Sequence, residues 1–181
     1  FAADEHIRHD ATIEDMRKLE PVFAKEDGTV TPGNASGIND AAAAVVLMEA
    51  GAAAKKGLKP MARLVSYGHA GIDPKIMGLG PVTAVKNALA KAGLKVSDID
   101  VFESNEAFAV QALADGRALG WDWSRVNVRG GAVALGHPIG ASGARVLTTL
   151  LHAMKDRGVG TGLATLCLGG GNAVAHSVEA M

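Results

Sequence analysis

The stretch GLATLCLGGGNAVAHSVE, residues 162–179, holds two apolar runs, Gly162–Leu168 and Ala173–Glu179. Between them stand Gly169, Gly170, Gly171 and Asn172. Two runs of strand length around a glycine turn are most simply read as a β-hairpin. The elements on its N-terminal side alternate. An apolar helix is expected over Ser142–Arg157, with Val146, Leu147, Leu150, Leu151 and Met154 on one side. Before it come a helix from about Ala107 to Leu119, stopped by Gly120, and a short strand over Ile99–Glu103. A helix opening near Pro81, with Val82, Val85 and Leu89 as its apolar face, is stopped by Gly93. Ala62–Tyr67 is a strand candidate, and Ala41–Lys56 reads as an alanine-rich helix closed by Gly57. Strands alternating with helices, followed by an antiparallel pair, imply a layered α/β fold with a mixed sheet.

Residues 1–35 are polar and carry little core. Thr12 can cap a short helix to Leu19, and Pro21 ends it. The composition shift places a boundary near residue 36. There is no convincing internal repeat and no low-complexity linker.

Composition bounds the function. The chain has 181 residues, 48% hydrophobic and 20% charged, with a formal net charge of -1. That is enough apolar material for a core, and it argues against disorder. No basic excess exists to neutralise phosphates, so nucleic acid is not expected as a partner. No apolar run reaches membrane-span length, so no membrane partner is expected either. The single cysteine, Cys167, excludes an internal disulfide framework and fits a reducing compartment. The 23 glycines exceed the usual share of about 7% without any period. Aromatics are only 4%, so the core must rest on Ala, Val, Leu and Ile at close backbone approach.

Three segments at element junctions carry chemistry: Ser104–Phe108, Gly130–Gly143 and Cys167–Gly171. Open α/β sheets place ligands at such strand ends. His137, between Gly136 and Pro138, can act as a general base or donate to an oxyanion; equally, it can cap a turn. Cys167 precedes three glycines whose N–H groups can form an anion-binding concavity, or it is a small buried hydrophobe. Asn105 and Glu106 can be an N-cap and a first-turn carboxylate without any catalytic part. P-loop and dinucleotide patterns are absent. His6 and His9 gain no further ligand nearby, and a solvated segment accounts for them better than a metal site.

Taken together, Asn105-Glu106-Ala107-Phe108, Gly136-His137-Pro138 and Cys167-Leu168-Gly169-Gly170-Gly171 resemble the C-terminal half of thiolases, nearest to the bacterial acetyl-CoA acetyltransferases. Residues 33–40 and 73–78 extend the likeness over essentially the whole chain. The resemblance implies a mixed five-stranded sheet with helices on both faces. Residues 1–36 would be the end of a loop domain contacting coenzyme A, and 37–181 the C-terminal catalytic domain. It implies Claisen condensation of two acetyl-CoA, or thiolysis of short 3-ketoacyl-CoA. Cys167 would be the acid/base, and His137 the activator of a nucleophile and donor to the thioester oxygen. Asn105 would hold an oxyanion-hole water, and Gly169 N–H would donate to a second hole. Ser36 and Arg8 would touch coenzyme A, and Phe108 would line the acyl pocket. The first half, with the acyl-accepting cysteine, is expected to be missing, which leaves half an active site and an inactive fragment. Acyl-CoA is expected as substrate, with no tightly bound cofactor and no metal, in a cytoplasmic homotetramer of fatty acid metabolism. Two alternatives stand beside this: a non-catalytic coenzyme A-binding or assembly fragment, and a broad-range degradative 3-ketoacyl-CoA thiolase. The pattern departs from the family at Pro32, Ser104 and Asn172.

Overall fold

The computed structural model describes residues 2–181. In chain order the elements are helices α1 (Ile13–Arg17) and α2 (Ala50–Lys55), strand β1 (Ala62–Gly71), helix α3 (Gly80–Ala92) and strand β2 (Val101–Ser104). Helices α4 (Ala109–Leu119), α5 (Ala132–Leu135) and α6 (Ser142–Arg157) follow, then strands β3 (Thr161–Leu168) and β4 (Asn172–Ala180). Tight 3-10 turns cover Pro74–Leu79 and Gly169–Gly171, among others.

The sheet runs in the order β1-β4-β3-β2. β3 and β4 form the expected antiparallel hairpin, with Leu168 opposite Asn172, and β4 pairs antiparallel with β1. β2 lies parallel to β3, Val101 opposite Gly162. Their crossover carries α4, α5 and α6, as a parallel pair requires. The sheet is therefore mixed, but it has four strands rather than five. Beside β2, where a fifth would lie, only a single parallel bridge forms, Phe102 to Val126. The next residue, Asn127, turns to φ 47° and ends the run.

Helices cover both faces. On one, α3 sets Ala84, Val85, Ala88 and Leu89 against Ala70, Phe102, Leu163, Ala173 and Ala175. On the other, α6 sets Val146, Leu150, Ala153 and Met154 against Val101, Ala164, Leu166 and Val178. The period-2 alternation of β3 feeds Leu163 to the first face and Ala164 and Leu166 to the second. Small residues give the close approach that the scarcity of aromatics demands. A Cβ on Gly68 would lie 2.2 Å from the Ala84 carbonyl oxygen, so α3 rests directly on the β1 backbone.

Two helix expectations are corrected. α1 is shorter than foreseen, although Thr12 does cap it by accepting from Asp15 N–H. The helix expected over Ala41–Lys56 forms only from Ala50. There the Glu49 carboxylate caps the first turn, at 2.8 Å from Gly51 N and 2.7 Å from Ala52 N. Residues 41–49 have neither helix nor strand, and Val46 and Leu47 are 90% and 79% exposed. Alanine favours helix, but β-branched Val45 and Val46 do not, and an isolated turn gains nothing without packing.

Candidate active site

The three junction segments meet at the C-terminal ends of the parallel pair β2 and β3. Asn105 N–H donates to Thr165 O at 2.9 Å, which carries the ladder one residue past β2 and puts Asn105 beside the end of β3. Asn105 is thus not a helix N-cap, because α4 starts only after Phe108. Asn127 grips the segment from the other side. Its Oδ1 accepts from Ser104 N at 2.8 Å, and its Nδ2 donates to Ser104 O and to Glu106 Oε1, each at 2.9 Å. The other oxygen of Glu106 accepts from Val133 N at the start of α5, so this carboxylate ties α5 to the segment rather than serving the first turn of α4.

His137 is fixed through its backbone and both ring nitrogens. Its N–H donates to Gly37 O at 2.7 Å. Nδ1 lies 2.6 Å from Ser142 Oγ, and that hydroxyl donates to Pro138 O at 3.2 Å. In the Nδ1–H tautomer Ser142 Oγ accepts from the ring while its own hydroxyl donates to Pro138 O, so both contacts are satisfied at once. Nε2 then keeps its lone pair and faces Asn105 Nδ2 at 3.4 Å. Burial, helped by the positive charge of Arg145, holds the His137 pKa below the ordinary imidazole value. A neutral ring with an unprotonated Nε2 is the form that accepts a proton.

Arg145, in the second turn of α6, reaches back to the same amide: Nη2 lies 3.2 Å from Asn105 Oδ1. Its Nη1 sits 3.7 Å from Glu103 Oε2. Glu103 is fully buried in β2, and neither carboxylate oxygen has a hydrogen-bond partner among the described residues. Burial, reinforced by Glu106 and opposed mainly by Arg145, pushes its pKa up to about 7.

Cys167 is a free, buried thiol near the end of β3, 5% exposed and one strand over from Asn105. Burial, with the Asp115 carboxylate adding repulsion, pushes its pKa up to about 11. The following turn demands glycine. Gly171 has φ 84°, and a Cβ there would lie 2.2 Å from Ile72 O. The same residue's carbonyl accepts from Ile72 N at 2.8 Å, so the turn is stapled to the chain beyond β1.

The other expected site residues divide. Ser36 lies against the Asn-Glu-Ala-Phe segment, with its N–H and Oγ both donating to Ala107 O at 3.1 and 2.9 Å. Phe108 pairs with Ala35 in an isolated bridge and packs edge-on to Phe23 at 5.8 Å. Gly169 opens the glycine turn, and open space lies where its Cβ would be. Arg8 is exposed, in a segment whose residues 5–10 line a separate groove. A second open groove, about 470 Å³, runs beside His137 between Ile38–Ala43 and Pro138–Ala141. Ser142, Arg145, Glu103 and Asn127 were not singled out from the sequence. A charge inside the apolar strand Val101–Ser104 was the available signal for Glu103.

Comparison with known proteins identifies the family. Residues 58–180 match the family model of the thiolase C-terminal domain, and residues 1–51 match that of the thiolase N-terminal domain. The beta-ketothiolase BktB of Cupriavidus necator is 61% identical over 179 residues, 99% of this chain and 45% of that protein. The acetyl-CoA acetyltransferase of Rhizobium meliloti is 62% identical over 176 residues, 97% of this chain and 44% of that protein. The crystal structure of the Bacillus anthracis acetyl-CoA acetyltransferase superposes with a TM-score of 0.94 at 51% identity, over 98% of this chain and 45% of that one. Human mitochondrial 3-ketoacyl-CoA thiolase does so at 0.90 and 46%, with the same coverage. The chain belongs to the thiolase family. It spans about 45% of the length of the curated relatives named here.

Proposed function

We propose that this chain is the acid/base and oxyanion-hole half of a thiolase that condenses two acetyl-CoA to acetoacetyl-CoA, or cleaves short 3-ketoacyl-CoA in reverse. The observation that carries the reading is the contact between His137 Nε2 and Asn105 Nδ2 at the β2 and β3 ends, with Nδ1 committed to Ser142. In this reading His137 takes the proton of a nucleophilic cysteine on the N-terminal half, and an acyl-enzyme forms there. Cys167 handles the second proton, removing it from the methyl carbon of the incoming acetyl-CoA. The carbanion attacks the acyl carbon, the C–C bond forms, and the bond to the nucleophilic sulfur breaks. Asn105, through a water, and the N–H of Gly169 stabilise the oxygens on which charge develops. At its raised pKa the resting Cys167 is a thiol. It therefore begins as the proton donor to departing coenzyme A, and the thiolate left by that transfer is the base that takes the proton from the second acetyl-CoA.

The groove beside His137 suits a thioester arm, with Ser36 and Phe108 near it and Arg8 reserved for the nucleotide end. Residues 1–36 act as the end of the coenzyme-binding loop region, and 37–181 as the catalytic domain. The working enzyme is a cytoplasmic homotetramer in fatty acid metabolism. Coenzyme A enters as a substrate and not as a resident cofactor. The 181 residues alone are inactive, because their single cysteine is the acid/base.

The test joins this chain behind a thiolase N-terminal half. Cys167→Ala should abolish condensation while the acetyl-enzyme still forms, more slowly for want of the proton donor, and can be trapped. Condensation at an undiminished rate would remove Cys167 from the acid/base role.

A further inference from the structure

We infer that Arg145 is a positioning residue: pinned by buried Glu103, it turns the Asn105 amide so that the N–H₂ end faces His137. This rests on the thiolase reading above and adds a residue to it.

An asparagine amide can sit either way round, and the two orientations differ in whether an acceptor or a donor meets the imidazole. Arg145 removes that freedom. A guanidinium has donors only, so the Asn105 atom 3.2 Å from Nη2 has to be the oxygen. The amide nitrogen is then left pointing at His137 Nε2. That contact needs a lone pair on Nε2, which agrees with the proton on Nδ1 that Ser142 accepts. The donors thus run one way. Arg145 gives to Asn105, Asn105 to His137, His137 to Ser142, and Ser142 to Pro138 O. Reversing the amide would break this order at two places.

Glu103 explains why the guanidinium stays put. Its carboxylate faces Nη1 at 3.7 Å, with side-chain exposures of 17% for Arg145 and 1% for Glu103. Two fork nitrogens held in one rigid plane therefore address two different partners, a spacing that a lysine ammonium, with its three donors on one atom, does not reproduce. Neither Arg145 Nη1 nor Nε has a hydrogen-bond partner among the described residues, so the charge pairing with Glu103 is what anchors that end. Two other charged groups act on the site: Glu106, which raises Glu103 and is itself engaged by Asn127 and Val133, and Arg129, which lowers it.

The experiment uses the joined thiolase and four variants: Arg145→Lys, Arg145→Met paired with Glu103→Leu, Asn105→Ala, and Asn105→Ala combined with Arg145→Lys. The charge-free pair guards against misfolding from an uncompensated buried carboxylate. Both Arg145 variants should lose roughly tenfold or more in kcat with KM for acetyl-CoA unchanged, and Arg145→Lys should add nothing to Asn105→Ala. Full kcat in Arg145→Lys, or losses that multiply with Asn105→Ala, would overturn the inference. ¹⁵N spectra of the His137 ring provide a readout independent of turnover. The Nδ1–H tautomer should dominate in the parent and give way to a mixture in the charge-free pair. If Asn105→Ala keeps full activity, the thiolase role of Asn105 fails. The spectra then decide on positioning alone, and an unchanged tautomer overturns it.

Discussion

Ser142 Oγ lies 2.6 Å from His137 Nδ1 and donates a hydrogen bond to Pro138 O at 3.2 Å. A residue at the first position of α6 thereby fixes which ring nitrogen of a loop histidine is free. The start of α6 and the loop that carries His137 are joined through this one side chain.

Replacing Ser142 by Ala should release the tautomer at little cost to the fold. We expect a kcat lower by roughly 10- to 100-fold in the joined enzyme, with stability lower by about 1 kcal/mol. Steady-state kinetics beside a urea titration separate the two effects. An unchanged kcat would mean that the Nδ1 bond does not govern the chemistry.

Because the chain has one cysteine, its alkylation reports Cys167 alone. A thiol whose pKa is raised to about 11 by burial and Asp115 is protonated at neutral pH, and its thiolate fraction grows tenfold per pH unit below that value. Iodoacetamide labelling of the 181-residue chain should therefore keep accelerating beyond pH 9. A plateau below pH 9 would show that burial does not set the thiol.

Asp115 is fully buried on α4, with Gln111 Nε2 at 2.5 Å from one oxygen and no partner for the other among the described residues. Burial raises its pKa to about 7. Between the unfolded value of 3.8 and about 7 the folded chain binds more protons than the unfolded one, so stability falls as pH rises through this window. Glu103 acts in the same direction. Asp115→Val should remove the part due to Asp115. We expect a higher Tm at pH 7.5, by roughly 1–3 kcal/mol in unfolding free energy, and a smaller gain at pH 5. Equal gains at both pH values would contradict a titrating carboxylate. The same variant should also bring Cys167 labelling to lower pH.

Elements whose reasons are local were readable from the residues. α6 runs Ser142–Arg157 as foreseen, and α3 and α4 end at Gly93 and Gly120, whose left-handed backbone stops them. The hairpin was readable too, because turn and alternation lie in one stretch. What escaped depends on distant partners. Residues 41–49 have alanine's helical preference but no surface to pack on. Glu103 and Arg145 meet only because the crossover returns α6 over β2. Asn127 looked like any loop asparagine, yet it holds Ser104 and Glu106 in place. The site motifs could be listed from the sequence, but the charges that orient them could not.

The run Ala41–Met48, outside any helix or strand, has no charged residue, and Val46 and Leu47 stand open to solvent. An apolar stretch with unclaimed backbone donors and acceptors is a template for any other strand it meets. Handled by itself, the chain should therefore show concentration-dependent clumping that Val46→Asp or Val46→Lys relieves. Its solubility should depend on whatever covers these eight residues, the first three of which line the groove beside His137.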